Sequence, residues 1–252
     1  MPRSSTLRLL AVAACIAGQG VQVSLVQAGP VVLVGAAVPA SRRVTMEAIR
    51  HDTWDALLKR YVDGRGMVDY ATWKASAADQ QALDQYLAHL SSASLSAPAS
   101  RAAQLAYWIN AYNAVTVQGI LREYPTTSIR QHTARLGGYN LWRDLQLLVE
   151  EQGYSLEQIE HQILRKMGEP RIHFAIVCAS IGCPPLRNEA YVAPRLEAQL
   201  SANAQAFFAD PSKFQYDAAS RTRAESGMAR LRFLDYDWGL NDRSANRPSK
   251  GR

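Results

Sequence analysis

Cysteine is scarce in this sequence: of 252 residues, only positions 15, 178 and 183 carry it. The compact signatures of cofactor chemistry are missing altogether. There is no GxGxxG, no P-loop, no HExxH and no paired CxxC, so the sequence implies no cofactor. A metal site built on His173, Cys178 and Cys183 lacks an evident fourth ligand, and no metal is expected. Nor is a membrane span expected in the mature chain. The apolar run LLAVAACIAG near the N-terminus is interrupted beyond it by Gln19, Gln22 and Gln27, well short of ~20 apolar residues. Concentrated positive charge is also lacking, despite a net charge of +6. Arg3 and Arg8, together with the tail DRSANRPSKGR (242–252), account for nearly all of it, and the residues between are close to neutral. A nucleic-acid domain carries its basic residues on the folded surface, so nucleic acid is not an expected partner.

What is present begins with a leader. MPRSSTLR is basic, LLAVAACIAG is apolar, and small residues run on to Val26-Gln27-Ala28. That order marks a secretory signal peptide over 1–28 with cleavage after Ala28. The alternative is a lipoprotein site at Val12-Ala13-Ala14-Cys15, which would leave a lipid anchor on Cys15. Either way the expected destination is export to the periplasm or cell envelope. Residues 29–41 read as a linker, 42–241 as one domain and 242–252 as a disordered basic tail.

Within the domain, helical spacing of apolar residues appears over 44–62 and 79–92. Seventeen residues without charge, LAYWINAYNAVTVQGIL (105–121), are apolar nearly all round. Such a helix is buried on most sides. In YSLEQIEHQILRKMG (154–168), Ser155 and Gln158 have the spacing of a capping box. A further helix is expected over 193–210, with Pro194 in its first turn. RIHFAIVCAS (171–180) has the composition of an interior strand. FQYDA (214–218) and ARLRFLDYDW (229–238) are shorter strand candidates, and MVDY (67–70) reads as a short strand or an extended connection. The fold class implied is α+β: a helix-rich single domain with a buried central helix packed on a small, mainly antiparallel sheet.

Several of these stretches together resemble one family, the domain-of-unknown-function 547 family. They are VDYATWK (68–74), AYWINAYNAVTV (106–117), SLEQIEHQILR (155–165), HFAIVCASIGCPPLRNEAYVAPRLEAQL (173–200) and RFLDYDWGLN (232–241). The resemblance implies an exported protein whose biochemical role is not established. It departs between Tyr216 and Arg232, where relatives carry a longer aromatic-rich insert and this chain has only DAASRTRAESGMARL.

Candidate chemistry centres on residues 172–187, IHFAIVCASIGCPPLR. On a strand His173 and Cys178 would face opposite ways. Cys183, before Pro184, suits the N-cap of a short helix through PPLRNEAY, where partial positive charge and Arg187 would favour a thiolate. One reading therefore takes Cys183 as nucleophile, His173 as base and Cys178 as a resolving thiol. It describes a thiol-dependent hydrolase or transferase resembling the papain and transglutaminase-like enzymes, although their nucleophile starts the central helix, which here has no cysteine. The other reading is a non-catalytic envelope binding or scaffolding domain with a Cys178–Cys183 disulfide, natural for two cysteines in an oxidising compartment. Labile thiol exchange is a third. Asn110 and Asn113, one helical turn apart, either pin a loop backbone or, with Arg187, bind substrate. Glu157 and His161 are spaced to pair on a helix face, whereas Glu160 and His161 diverge. The partner is an unknown small molecule, peptide or envelope protein.

Overall fold

The computed structural model describes residues 30–134, 138–214 and 235–246. The expected leader and the end of the tail lie outside these residues. Among the described residues no helix is long and apolar enough to cross a membrane.

The fold is an α+β single domain built round one helix. That helix, α4 (Arg101–Glu123), extends the expected 105–121 at both ends. Its start is fixed by the Ser100 hydroxyl, which accepts from the Ala103 amide at 3.1 Å. Every residue from Leu105 to Val117 is buried, because α4 has neighbours on all sides. Helices α2 (Tyr70–Ala75) and α3 (Ala77–Leu90) pack against it, as does the strand β4 (Leu145–Val149). Helix α1 (Asp52–Tyr61) packs in turn on α2 and α3. It starts later than the pattern from 44 suggests, because Val44–Thr45 form a strand and Met46–Ala48 a 3₁₀ turn.

The sheet lies away from the strands expected. β1 (Val32–Val34) pairs parallel to β4, with Val32 opposite Leu145, and β4 pairs antiparallel to β5 (Gln152–Ser155). Alternation is clear in β4, where Leu145, Leu147 and Val149 are buried and Gln146 and Leu148 are not. The sheet is thus mixed where a mainly antiparallel one was expected. β1 and β4 are separated by α1 to α4, and a crossover of that length permits parallel pairing. A second, two-stranded parallel pair joins β2 (Val44–Thr45) to β3 (Ala93–Ser94). β1 falls inside 29–41, the stretch read as a linker, and places Val32–Val34 in the sheet. The domain also runs past 241, since Asp242 is buried and accepts from the Tyr124 hydroxyl at 2.8 Å.

RIHFAIVCAS is not a strand. Pro170–Phe174 form a 3₁₀ helix and the residues after it have no regular structure. The apolar side chains of Ile172, Ile176 and Val177 are still buried, so the composition marks burial but not pairing. MVDY contributes only single bridges through Val68 to Val62 and Asp242. Of the last two strand candidates, 215–218 and 229–234 lie outside the described residues, and 235–238 have no regular structure.

The capping box at Ser155 forms in full: the Gln158 amide donates to the Ser155 hydroxyl, and the Ser155 amide to Gln158 Oε1. The helix it opens, α5 (residues 156–167), is unusual and comes after the short α-helical turn Leu141–Asp144 and the β4–β5 hairpin. After Leu156–Gln158 it widens into a π-helix over Ile159–Leu164 and tightens to 3₁₀ over Arg165–Met167. The last α-helix among the described residues, α6 (Leu196–Ala209), follows a 3₁₀ turn containing Pro194.

Candidate functional site

Asn110 and Asn113 project from one side of α4 towards the segment 175–191. The Asn113 amide donates to the Ala175 carbonyl and accepts from the Val177 amide, both at 2.9 Å. Asn110 does the same for Tyr191, donating to its carbonyl at 2.8 Å and accepting from its amide at 3.0 Å. Each side chain therefore supplies the two hydrogen bonds that a neighbouring strand would have supplied. Buried backbone groups need such partners. This is why 175–177 can be buried without a sheet.

The chain then reaches the cysteines. Cys178 and Cys183 form a disulfide, with their α-carbons 6.3 Å apart. Cys183 is buried at 6 % exposure and Cys178 is half-buried. The turn between them carries Ala179 at φ 57°, a left-handed conformation that a non-glycine residue adopts only at some cost. The C-terminal segment clamps this turn. The amides of Ile181 and Gly182 donate to the carbonyls of Gly239 and Asp237, and the Asn241 amide donates to the Ala179 carbonyl. Lys213 Nζ also donates to the Ile181 carbonyl.

Two donors converge on the Cys183 sulfur. The Cys178 amide lies 3.0 Å from it and the Tyr236 hydroxyl 2.9 Å. The helix expected to begin at Cys183 does not form. Pro184 itself precedes Pro185 and is thereby kept out of the α region, so no helix N-terminus faces the sulfur. Arg187 is directed elsewhere, donating to Glu189 Oε1 at 2.6 Å and Asn203 Oδ1 at 2.8 Å. Burial works against ionising Glu189, but Arg187, Arg195 and Gln199 outweigh it and hold its carboxyl at about 2.

His173 is exposed on its 3₁₀ turn, and no hydrogen bond joins it to either cysteine or to Asn110 or Asn113. The six residues singled out from the sequence thus fall into separate roles in space. Asn113 holds the stretch leading into the disulfide turn. Asn110 and Arg187 act further along, at Tyr191 and Glu189. The space between α4 and the turn, lined by Tyr70, Asn113, Val177, Ala179, Leu186 and Asn241, is too tight for a water molecule. Tyr236 is the participant the sequence did not single out. It lies 58 residues from Cys178, and no local pattern links them. Among the described residues no group of three or more His, Cys, Asp or Glu side chains is placed to hold a metal ion.

Residues 96–208 match the family model described as "Protein of unknown function, DUF547". The matched stretch contains α4, the β4–β5 hairpin, the disulfide turn and most of α6. No curated protein and no solved structure matches the chain.

Proposed function

For a chain that belongs to the DUF547 family, whose function is undetermined, we propose an exported, non-catalytic binding or scaffolding domain of the periplasm or cell envelope. In this reading the Cys178–Cys183 disulfide is a cross-link that holds the 178–183 turn in place. The observation that carries the reading is the bridge itself, which leaves neither sulfur free as a nucleophile. The exposure of His173 and the engagement of both asparagine amides by backbone groups support it further.

A thiol-dependent hydrolase or transferase is the second reading, and one observation favours it. With the bridge open, the Cys178 amide and the Tyr236 hydroxyl would both donate to Cys183 and favour its thiolate. A thiol count separates the two. Protein purified without reductant is expected to show no alkylation until it is reduced. The Cys178→Ala/Cys183→Ala double variant is expected to lose about 2 kcal/mol in chemical denaturation, the loss appropriate to so short a closed loop. Two free thiols, one alkylating rapidly at pH 7, would instead favour the enzyme.

A further inference from the structure

A second candidate site lies between the Leu141–Asp144 turn and the widened helix that follows Ser155. It is an open cleft of about 480 Å³, and its walls include Trp142, Arg143, Glu157, Glu160 and His161. That volume is in the range of small-ligand sites, roughly 300–1,000 Å³. The π-helical stretch Ile159–Leu164 carries Glu160 and His161. Such turns are rare, and they occur often at functional sites.

The charges in the cleft divide into ion-paired groups and exposed groups without an ion pair among the described residues. Glu160 is satisfied: Arg165 donates to its Oε1 at 2.7 Å, and the Tyr112 hydroxyl of α4 lies 3.5 Å from its Oε2. Burial, then the Glu160 charge, raise the Tyr112 pKa, so its hydroxyl stays protonated and serves as donor. Arg143 is different. Its guanidinium touches the Ala134 carbonyl at 3.2 Å, and among the described residues no carboxylate lies within ion-pair distance. Glu157, on the facing helix, is exposed and has no cation within that distance among the described residues. One unmatched positive and one unmatched negative group therefore line the same cleft without pairing with each other, and the Trp142 ring, half-buried, lies beside them.

We propose that this cleft binds a small zwitterion, an amino acid or short peptide, with its carboxylate on Arg143, its ammonium on Glu157 and its side chain against Trp142. Guanidinium and carboxylate match as a two-pronged, charge-assisted pair. The indole offers apolar surface for the rest of the ligand. The proposal rests on the reading of the chain as a binding domain and supplies the ligand class that reading leaves open.

The test is calorimetric and NMR titration of the full chain with glycylphenylalanine, its N-acetylated and C-amidated forms, and a neutral disaccharide. The Trp142 indole resonance is assigned by comparison with Trp142→Phe. The zwitterion is expected to bind and to shift that resonance. Blocking either end, or substituting Arg143→Gln or Glu157→Gln, should weaken binding about tenfold, as loss of one charge-assisted hydrogen bond would. Absence of binding at millimolar dipeptide overturns the site and leaves the binding-domain reading standing. Equal binding of the blocked forms, or tighter binding of the disaccharide, overturns the zwitterion. Mass spectrometry of the recovered dipeptide should find it intact. Turnover would overturn the non-catalytic reading while leaving the site in place.

Discussion

Replacing Asn113 with alanine is expected to lower the folding free energy by about 4 kcal/mol, from two buried peptide groups at about 1–3 kcal/mol each. The substitution removes the partners of the Ala175 carbonyl and the Val177 amide. Asn113 is 2 % exposed, so water cannot take over without opening the structure. Asn113→Asp makes a sharper test. The carboxylate keeps an acceptor for Val177 but has no donor for Ala175, and it buries a charge. Its penalty at neutral pH should therefore be at least as large, and it should shrink as the pH falls and the carboxyl gains a proton to donate. Urea denaturation followed by circular dichroism, at pH 7 and pH 5, measures both. A loss below about 1 kcal/mol for the alanine variant would show that 175–177 is held by something other than this amide.

Acidification is expected to destabilise the fold through His51, at the start of α1. Burial, then the His89 ring, lower its pKa from 6.5 to about 4, against a smaller opposing effect of Asp52. Nδ1 lies 2.7 Å from the buried Tyr86 hydroxyl. Above about pH 6.5 the ring is neutral in folded and unfolded chains alike and contributes no pH dependence. Between about 6.5 and 4 the unfolded chain takes up a proton that the folded chain refuses, so stability falls with the pH. The loss reaches about 3 kcal/mol below pH 4. His51→Gln keeps a polar partner for Tyr86 and cannot titrate. The difference between wild-type and His51→Gln stabilities should therefore shift by about 2.5 kcal/mol between pH 7 and pH 4.5. An unchanged difference across that range would remove His51 as the acid-sensitive group.

The sequence by itself determined the central helix and one helix cap, and much of the burial. The uncharged stretch 105–121 read as an interior helix, and Ser155 with Gln158 could be read as a cap because every atom involved lies within one turn. It also determined that Ile172, Ile176 and Val177 would be inside, since they have too much apolar surface to be left in water. Composition does not say which partner satisfies the backbone there. Asn113, 62 residues from Ala175, took the place of a neighbouring strand, and only the packing of α4 could bring it there. The same limit applies to the cysteines. Their spacing allowed a disulfide or a nucleophile, whereas Tyr236 on the sulfurs and the C-terminal clamp on the turn arise from contacts far apart in the chain. Glu157 and His161 could be placed on one helix face from their spacing alone. Arg143 and Trp142 opposite them came from the tertiary structure, because the cleft is the space left between two elements and belongs to neither sequence pattern.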